Sequence, residues 1–258
     1  MDAVFLCFFA FLAGFVDSVV GGGGLIQLPA LLIFLPAESS RTLAPVFGTN
    51  KFSSVCGTSM AVVQYAKRVR IHWPLLLPAA IAALIFAFLG ARAVSFIRKE
   101  AMEPVILALM IAVAIYTFWK KDFGNLHAPK LSPKKAQTLA ILVGVVIGFY
   151  DGFFGPGTGS FLIFIFIGVF GFDFLNASAH AKVINLATNI AAVSYFAATN
   201  NVLYRFAVPM AACNIVGSVT GTRLALLKGN RFVRVIFLTV VTAMIVRYAY
   251  QILTRHHL

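Results

Sequence analysis

The sequence predicts an all-α polytopic membrane protein built from two inverted-topology repeats with glycine-broken or re-entrant helices. Three observations predict it. Hydrophobic residues make up 60% of the chain and charged residues 11%, against about 25% charged in a soluble domain, and the mean hydropathy is +0.92. Apolar runs of membrane-spanning length recur throughout, where a β-barrel would show short alternating segments. One distinctive stretch occurs twice, as GFVDSVVGGGGLIQLPALL from Gly14 to Leu32 and as GFYDGFFGPGTGSFLIFI from Gly148 to Ile165.

The apolar segments fall at 2–20, 24–35, 45–66, 74–96, 102–119, 136–153, 159–171, 174–198, 203–226 and 232–253. The first lacks a basic leader region and runs straight into a glycine motif, so it reads as a retained helix and not as a cleaved signal peptide. Segments 24–35 and 159–171 are shorter than the ~20 residues of an easy crossing. Each follows a glycine cluster, and each either folds back on the preceding run or crosses as a shielded, tilted helix.

The repeat extends beyond the two motifs. A shift of 134 carries Asp17 onto Asp151 and Gly21 onto Gly155. A shift of 131 carries Lys51 onto Lys182, Pro78 onto Pro209, Gly90 onto Gly221 and Arg92 onto Arg223. The chain divides into repeat one at 1–119, a polar linker at 120–135 and repeat two at 136–258. Five segments per half is an odd number, so like halves take opposite orientations, the pattern of an inverted-repeat transporter. Loop charge places eleven basic residues on the linker face against six on the other. Positive-inside bias then puts the linker in the cytoplasm and both termini outside.

The net charge of +13 is not a nucleic-acid footprint, because the basic residues lie mostly between apolar runs. Cys7, Cys56 and Cys213 are dispersed inside apolar runs, which gives neither a disulfide framework nor a metal site. No cofactor is expected. The expected partners are a small anionic substrate and the lipid bilayer, with homo-oligomerisation left open.

Six ionisable residues fall where the membrane should be: Asp17, Asp151, Lys51, Lys182, Arg92 and Arg223. Inserted singly, they would cost roughly 15–20 kcal/mol together, so they should face the interior, be paired or lie near helix ends. Asp17 and Asp151 either support a helix break by accepting backbone N–H bonds or couple transport to protons. The clusters Gly21–Gly24 and Gly155–Gly159 read as breaks exposing backbone N–H groups, with Gly22, Gly23, Gly157 and Thr158 as anion contacts. Close helix packing is their alternative role. Lys51 is followed by Ser53, Ser54, Thr58 and Ser59, and Lys182 by Asn185, Thr188 and Asn189. This polar face, with Asn50, can ligate an oxyanion, or the lysines can snorkel while the polar residues join helices. Arg92 and Arg223 read as snorkelling side chains near helix ends, and His180 as a local hydrogen-bonding residue.

The motifs GFVDSVVGGGGLIQLPALL, GTNKFSS, GFYDGFFGPGTGSF and AKVINLATN, in that order, resemble the TauE/SafE family of sulfite and organosulfonate exporters over essentially the whole chain. The resemblance implies an inner-membrane exporter of a small sulfur-containing anion, with Asp17, Asn50, Lys51, Asp151, Lys182 and Asn185 in its transport core. A secondary carrier is the expected function, since no P-loop sequence is present. A passive anion channel is the alternative, and an intramembrane aspartyl protease a remote one. The sequence names neither the anion nor the coupling ion.

Overall fold

The computed structural model describes residues 2–36, 42–95 and 131–228 without interruption, and scattered positions from 104 to 115 and from 239 to 250. Among the described residues the chain is helical, without strands. The helices are α1 (Asp2–Val20), α2 (Gly24–Phe34), α3 (Leu43–Ala66), α4 (Trp73–Val94), α5 (Pro133–Phe153), α6 (Thr158–Gly168), α7 (Phe174–Ala198) and α8 (Tyr204–Lys228). Segments 102–119 and 232–253, and most of the linker, lie largely outside the described residues. Helix α5 begins inside the stretch assigned to the linker. Pro133 supplies a pre-set φ at the first turn, where its missing N–H costs nothing.

Among the described residues three helices are long and apolar enough to cross a membrane: Ala3–Val20, Trp73–Val94 and Pro133–Phe153. Helices α3, α7 and α8 are longer but carry polar residues turned inward, which lowers their apolar content. On α4 and α5, Leu77, Ile81, Leu142 and Val146 are exposed, an apolar surface that suits lipid and not water.

The short helices turn back. At 11 residues, α2 rises only ~16 Å, about half the hydrocarbon thickness. Its last residue, Phe34, stacks on Phe5 and Phe9 near the start of α1, at ring separations of 5.3 and 5.7 Å. Helix α2 therefore runs antiparallel to α1, and the glycine break forms the tip of a hairpin. In the second half Tyr150 meets Phe161 across the break at 5.6 Å. Phe166 and Ile167 of α6 share one apolar cluster with Ala140 and Val143 of α5.

The most extensive helix contacts are α4 with α5 and α1 with α8. Gly144, Gly148 and Gly152 of α5 face Ala79, Ala83 and Ala87 of α4 in register, so closely that a Cβ on any of the glycines would overlap α4 backbone. Small residues at every fourth position let two backbones touch, which supplies packing energy where the hydrophobic effect does not act between helices. In the same way Gly14 meets Asn214, Gly217 meets Phe11 and Gly221 meets Phe15. Both pairs of helices run parallel. The repeat shifts carry the contact of Gly148 with Ala83 onto that of Gly14 with Asn214, and that of Gly90 with Phe149 onto that of Gly221 with Phe15.

Helices α3 and α7 run antiparallel: Gly48 near the start of α3 approaches Phe196 near the end of α7, while Ala61 and Tyr65 cluster with Ala179. Each also packs on a helix of the other half, α3 on α8 through Phe52 and Tyr204 (5.5 Å) and α7 on α4 through Tyr195 and Phe88 (5.5 Å). The cysteines are free thiols, with Cys7 of α1 and Cys213 of α8 side by side.

Candidate functional site

The site grows from the two breaks. Gly21 and Gly22 take φ of 69° and 120°, and Gly155 and Gly157 take 89° and 84°. These are left-handed conformations that a residue with a Cβ adopts only at a cost. Gly157 is thus the N-cap of α6 because it lacks a side chain. In the first break Asp17 Oδ1 accepts the N–H groups of Gly22 (3.2 Å) and Gly23 (3.3 Å), replacing helical bonds lost at the turn. In the second, Thr158 Oγ1 donates to Gly155 O and Tyr150 Oη donates to Pro156 O, both at 2.7 Å. The breaks also touch each other. Gly21 lies directly against Gly159, Gly24 against Pro156, and Ser160 Oγ donates to the carbonyls of Val20 (2.9 Å) and Gly21. The glycines therefore break helices and allow close approach at once.

The lysines and aspartates are paired across the halves. Lys182 Nζ stands 2.7 Å from Asp17 Oδ2, and Lys51 Nζ stands 2.8 Å from Asp151 Oδ2. Each repeat thus supplies the aspartate for the other repeat's lysine. Both lysines are buried, at 2% exposure for Lys51 and 0% for Lys182, so snorkelling does not describe them. Pairing is required there, since a buried charge stripped of its partner costs about 3–5 kcal/mol. Asp17 carries both burdens, its break and its lysine. Asp151 meets Lys51 off the axis of a hydrogen bond.

Between the pairs lies a cavity of about 20 Å³, counted as room for a water's centre. The first break supplies Asp17, Gly22 and Gly24 to its wall, and the second supplies Asp151, Gly155, Gly157, Thr158 and Gly159. Helix α3 adds Asn50, Lys51 and Ser54, and α7 adds Asn185 and Asn189, whose amides bond each other at 2.8 Å. Two residues singled out from the sequence stand one step back from this wall: Gly23 gives its N–H to Asp17, and Lys182 pairs with Asp17 from behind. Arg92 and Arg223 are exposed and do not line it. His180 bonds Asn176 O through Nδ1 (2.7 Å) and accepts the His72 N–H at Nε2 (3.2 Å), a local structural part.

Sequence reasoning missed the buried amides behind the wall. Gln27 Oε1 accepts from Asn214 Nδ2 at 2.8 Å, and Gln27 Nε2 donates to Asn50 O at 3.3 Å. A glutamine at 0% exposure inside an apolar helix needs such partners, and its position three residues after the glycine cluster was a readable signal. Beside the Asp17 and Asp151 carboxylates the wall offers one ammonium and side-chain amides, donors that a small oxyanion can use once a carboxylate gives way.

Comparison with known proteins agrees in kind. The model of the family described as "Sulfite exporter TauE/SafE" matches residues 6–248. "Probable membrane transporter protein ORF9" of Sinorhizobium sp is 34% identical over 243 residues, 94% of this chain and 90% of that protein. "Probable membrane transporter protein YfcA" of Escherichia coli K12 is 30% identical over 252 residues, 95% of this chain and 89% of its own length. A "Probable membrane transporter protein" of Haemophilus influenzae is 29% identical over 240 residues, covering 90% of this chain and 88% of that protein. No solved structure matches the chain.

Proposed function

From the premise that this chain belongs to the TauE/SafE sulfite exporter family and is a membrane transporter of that type, we propose that it is a secondary carrier exporting a small anion, sulfite or an organosulfonate. The observation that carries this reading is the pair of crossed Lys–Asp bridges around a polar cavity that both halves build. A site shared by two halves is one that rocking of either half opens to one side or the other. The inverted-repeat reading is supported by the parallel seams of α1 with α8 and α4 with α5, together with the antiparallel crossing of α3 and α7. The excess of basic residues on the linker's face supports a cytoplasmic linker, and the family an inner-membrane location. The donors left to hold the anion are Lys51 and the amide nitrogens of Asn50 and Asn185, because Asp17 takes the Gly22 and Gly23 N–H groups and Gly155 O takes the Thr158 hydroxyl. Each aspartate is held by a lysine of the opposite half, whereas an aspartyl protease sets two carboxylates together to share a proton; this supports a carrier over an enzyme.

The test is flux in proteoliposomes for sulfite, thiosulfate, sulfonates and carboxylates, with and without a pH gradient. The expected result is saturable flux of one anion class, accelerated by the same anion on the far side. Flux of none of them would remove the anion-carrier reading. Non-saturating flux indifferent to the far side would make the protein a channel.

A further inference from the structure

The two Lys–Asp bridges are related by the repeat but are not equivalent in their surroundings. In the first, every polar atom of the carboxylate is engaged: Asp17 Oδ1 takes two N–H groups of the break, and Oδ2 takes Lys182 at 2.7 Å. Lys182 is wholly buried and absent from the cavity wall. Ser160 ties the second break to the first at the same place. In the second bridge both partners line the cavity, and Lys51 meets Asp151 Oδ2 at 2.8 Å without the alignment of a hydrogen bond. Beside them the Asn50 side chain, 3% exposed, keeps Oδ1 without a hydrogen-bond partner among the described residues. That oxygen is an acceptor, so a water or another proton-bearing atom completes it, and only the amide Nδ2 of Asn50 can meet an oxyanion.

The cavity is also too small for its cargo. About 20 Å³ accommodates roughly one water, and an oxyanion such as sulfite has four heavy atoms. Some part of the wall must leave before an anion enters. The Asp151 carboxylate is the part that presents the same chemistry as the cargo, two oxygens on an ammonium. It is also flanked by Gly155, which leaves open the space a side chain would take beside Lys51 Nζ.

We propose that Asp151 is a built-in competitor for the transported anion: it occupies Lys51 in the empty carrier and is displaced when a small oxyanion binds, while the Asp17–Lys182 bridge stays closed as a strut between the two breaks. This rests on the anion-carrier reading above. It assigns different roles to residues that the repeat would make equal. The charged groups facing the exchange are Lys51 from α3 and, across the cavity, Asp17 of α1 with Lys182 of α7. The groups contributed by α6 and by Asn185 and Asn189 are neutral. Binding is then an exchange of one carboxylate for one oxyanion on Lys51, and release is the reverse, with Asp151 returning to expel the anion.

A competitor that holds Lys51 for nine-tenths or more of the time weakens apparent affinity by about tenfold or more. The experiment is equilibrium binding of sulfite to the purified full chain, for wild type, Asp151→Asn and Asp17→Asn. The expected result is tightening by about tenfold or more in Asp151→Asn, with slower turnover in proteoliposomes because the anion is no longer expelled, and no tightening in Asp17→Asn. Equal tightening in both variants would mean that only net charge matters and would overturn the assignment. Unchanged or weaker binding in Asp151→Asn would overturn it as well. If that variant does not fold, the infrared difference spectrum of wild type with and without sulfite decides: a carboxylate band must shift on binding, and an unshifted spectrum refutes the displacement. A wild type that binds sulfite but shows none of these effects sinks this inference alone. A wild type that binds and transports no anion of the panel sinks the carrier reading with it.

Discussion

Replacing Asp17 by Asn, Lys182 by Gln, and both together measures how strongly the crossed pairing holds the two halves. Asp17→Asn leaves the Lys182 ammonium at 0% exposure with its 2.7 Å partner gone. It also weakens the acceptor of the Gly22 and Gly23 N–H groups. A buried charge deprived of its partner costs about 3–5 kcal/mol, so this variant belongs at the upper end. Lys182→Gln costs less, about 2–3 kcal/mol, because the Asp17 side chain keeps both N–H groups and has 20% of its surface open toward the cavity. The double variant removes both charges and keeps two polar side chains of similar shape. It should recover about a quarter to a half of the summed single-variant losses, which gives a coupling energy of about 2–4 kcal/mol in the cycle. The assay is equilibrium unfolding in mixed micelles, followed by helical circular dichroism. A coupling below about 0.5 kcal/mol, the value of an exposed surface pair, would refute the claim that this bridge is buried and structural.

Two further outcomes follow from the backbone. Gly148→Leu places a side chain into Ala83 of α4, and overpacking against backbone should cost about 3 kcal/mol or more. Size-exclusion profiles should show loss of the folded species, while Val146→Leu, on the exposed side of the same helix, leaves them unchanged. Gly157→Ala forces an alanine to a φ of 84°, at about 1–2 kcal/mol. Its unfolding midpoint should fall measurably without loss of expression, and an unshifted midpoint would show that the turn relaxes freely.

The helices were legible because their signal is local. The apolar runs 2–20 and 174–198 reappear as Asp2–Val20 and Phe174–Ala198, since lipid exposure demands continuity of apolar residues that any window along the chain can detect. The short helices and their breaks were legible for the same reason, four consecutive glycines being incompatible with a straight helix. The crossed pairing was not. Matching the repeats sets Asp17 beside Asp151 and Lys51 beside Lys182, whereas Coulomb attraction joins the unlike members, and which unlike members depends on how the halves interlock. Gln27 and Asn214 were missed because a single amide in an apolar run gives no periodic signal, although each has no reason to be there without a partner. The seam of Gly144, Gly148 and Gly152 against Ala79, Ala83 and Ala87 was written openly at intervals of four and needed only to be read as a contact surface.

The exchange of counter-ions between repeats has a consequence for assembly in lipid. Taken alone, each half would carry one buried carboxylate and one buried ammonium with no partner in its own sequence. Lipid offers no hydrophobic drive to bring two such halves together, but it makes their separation expensive. Each buried charge finds its partner only when one half closes on the other, so the pairing acts as a checksum: an arrangement that misplaces either half by a few ångströms leaves buried charges apart.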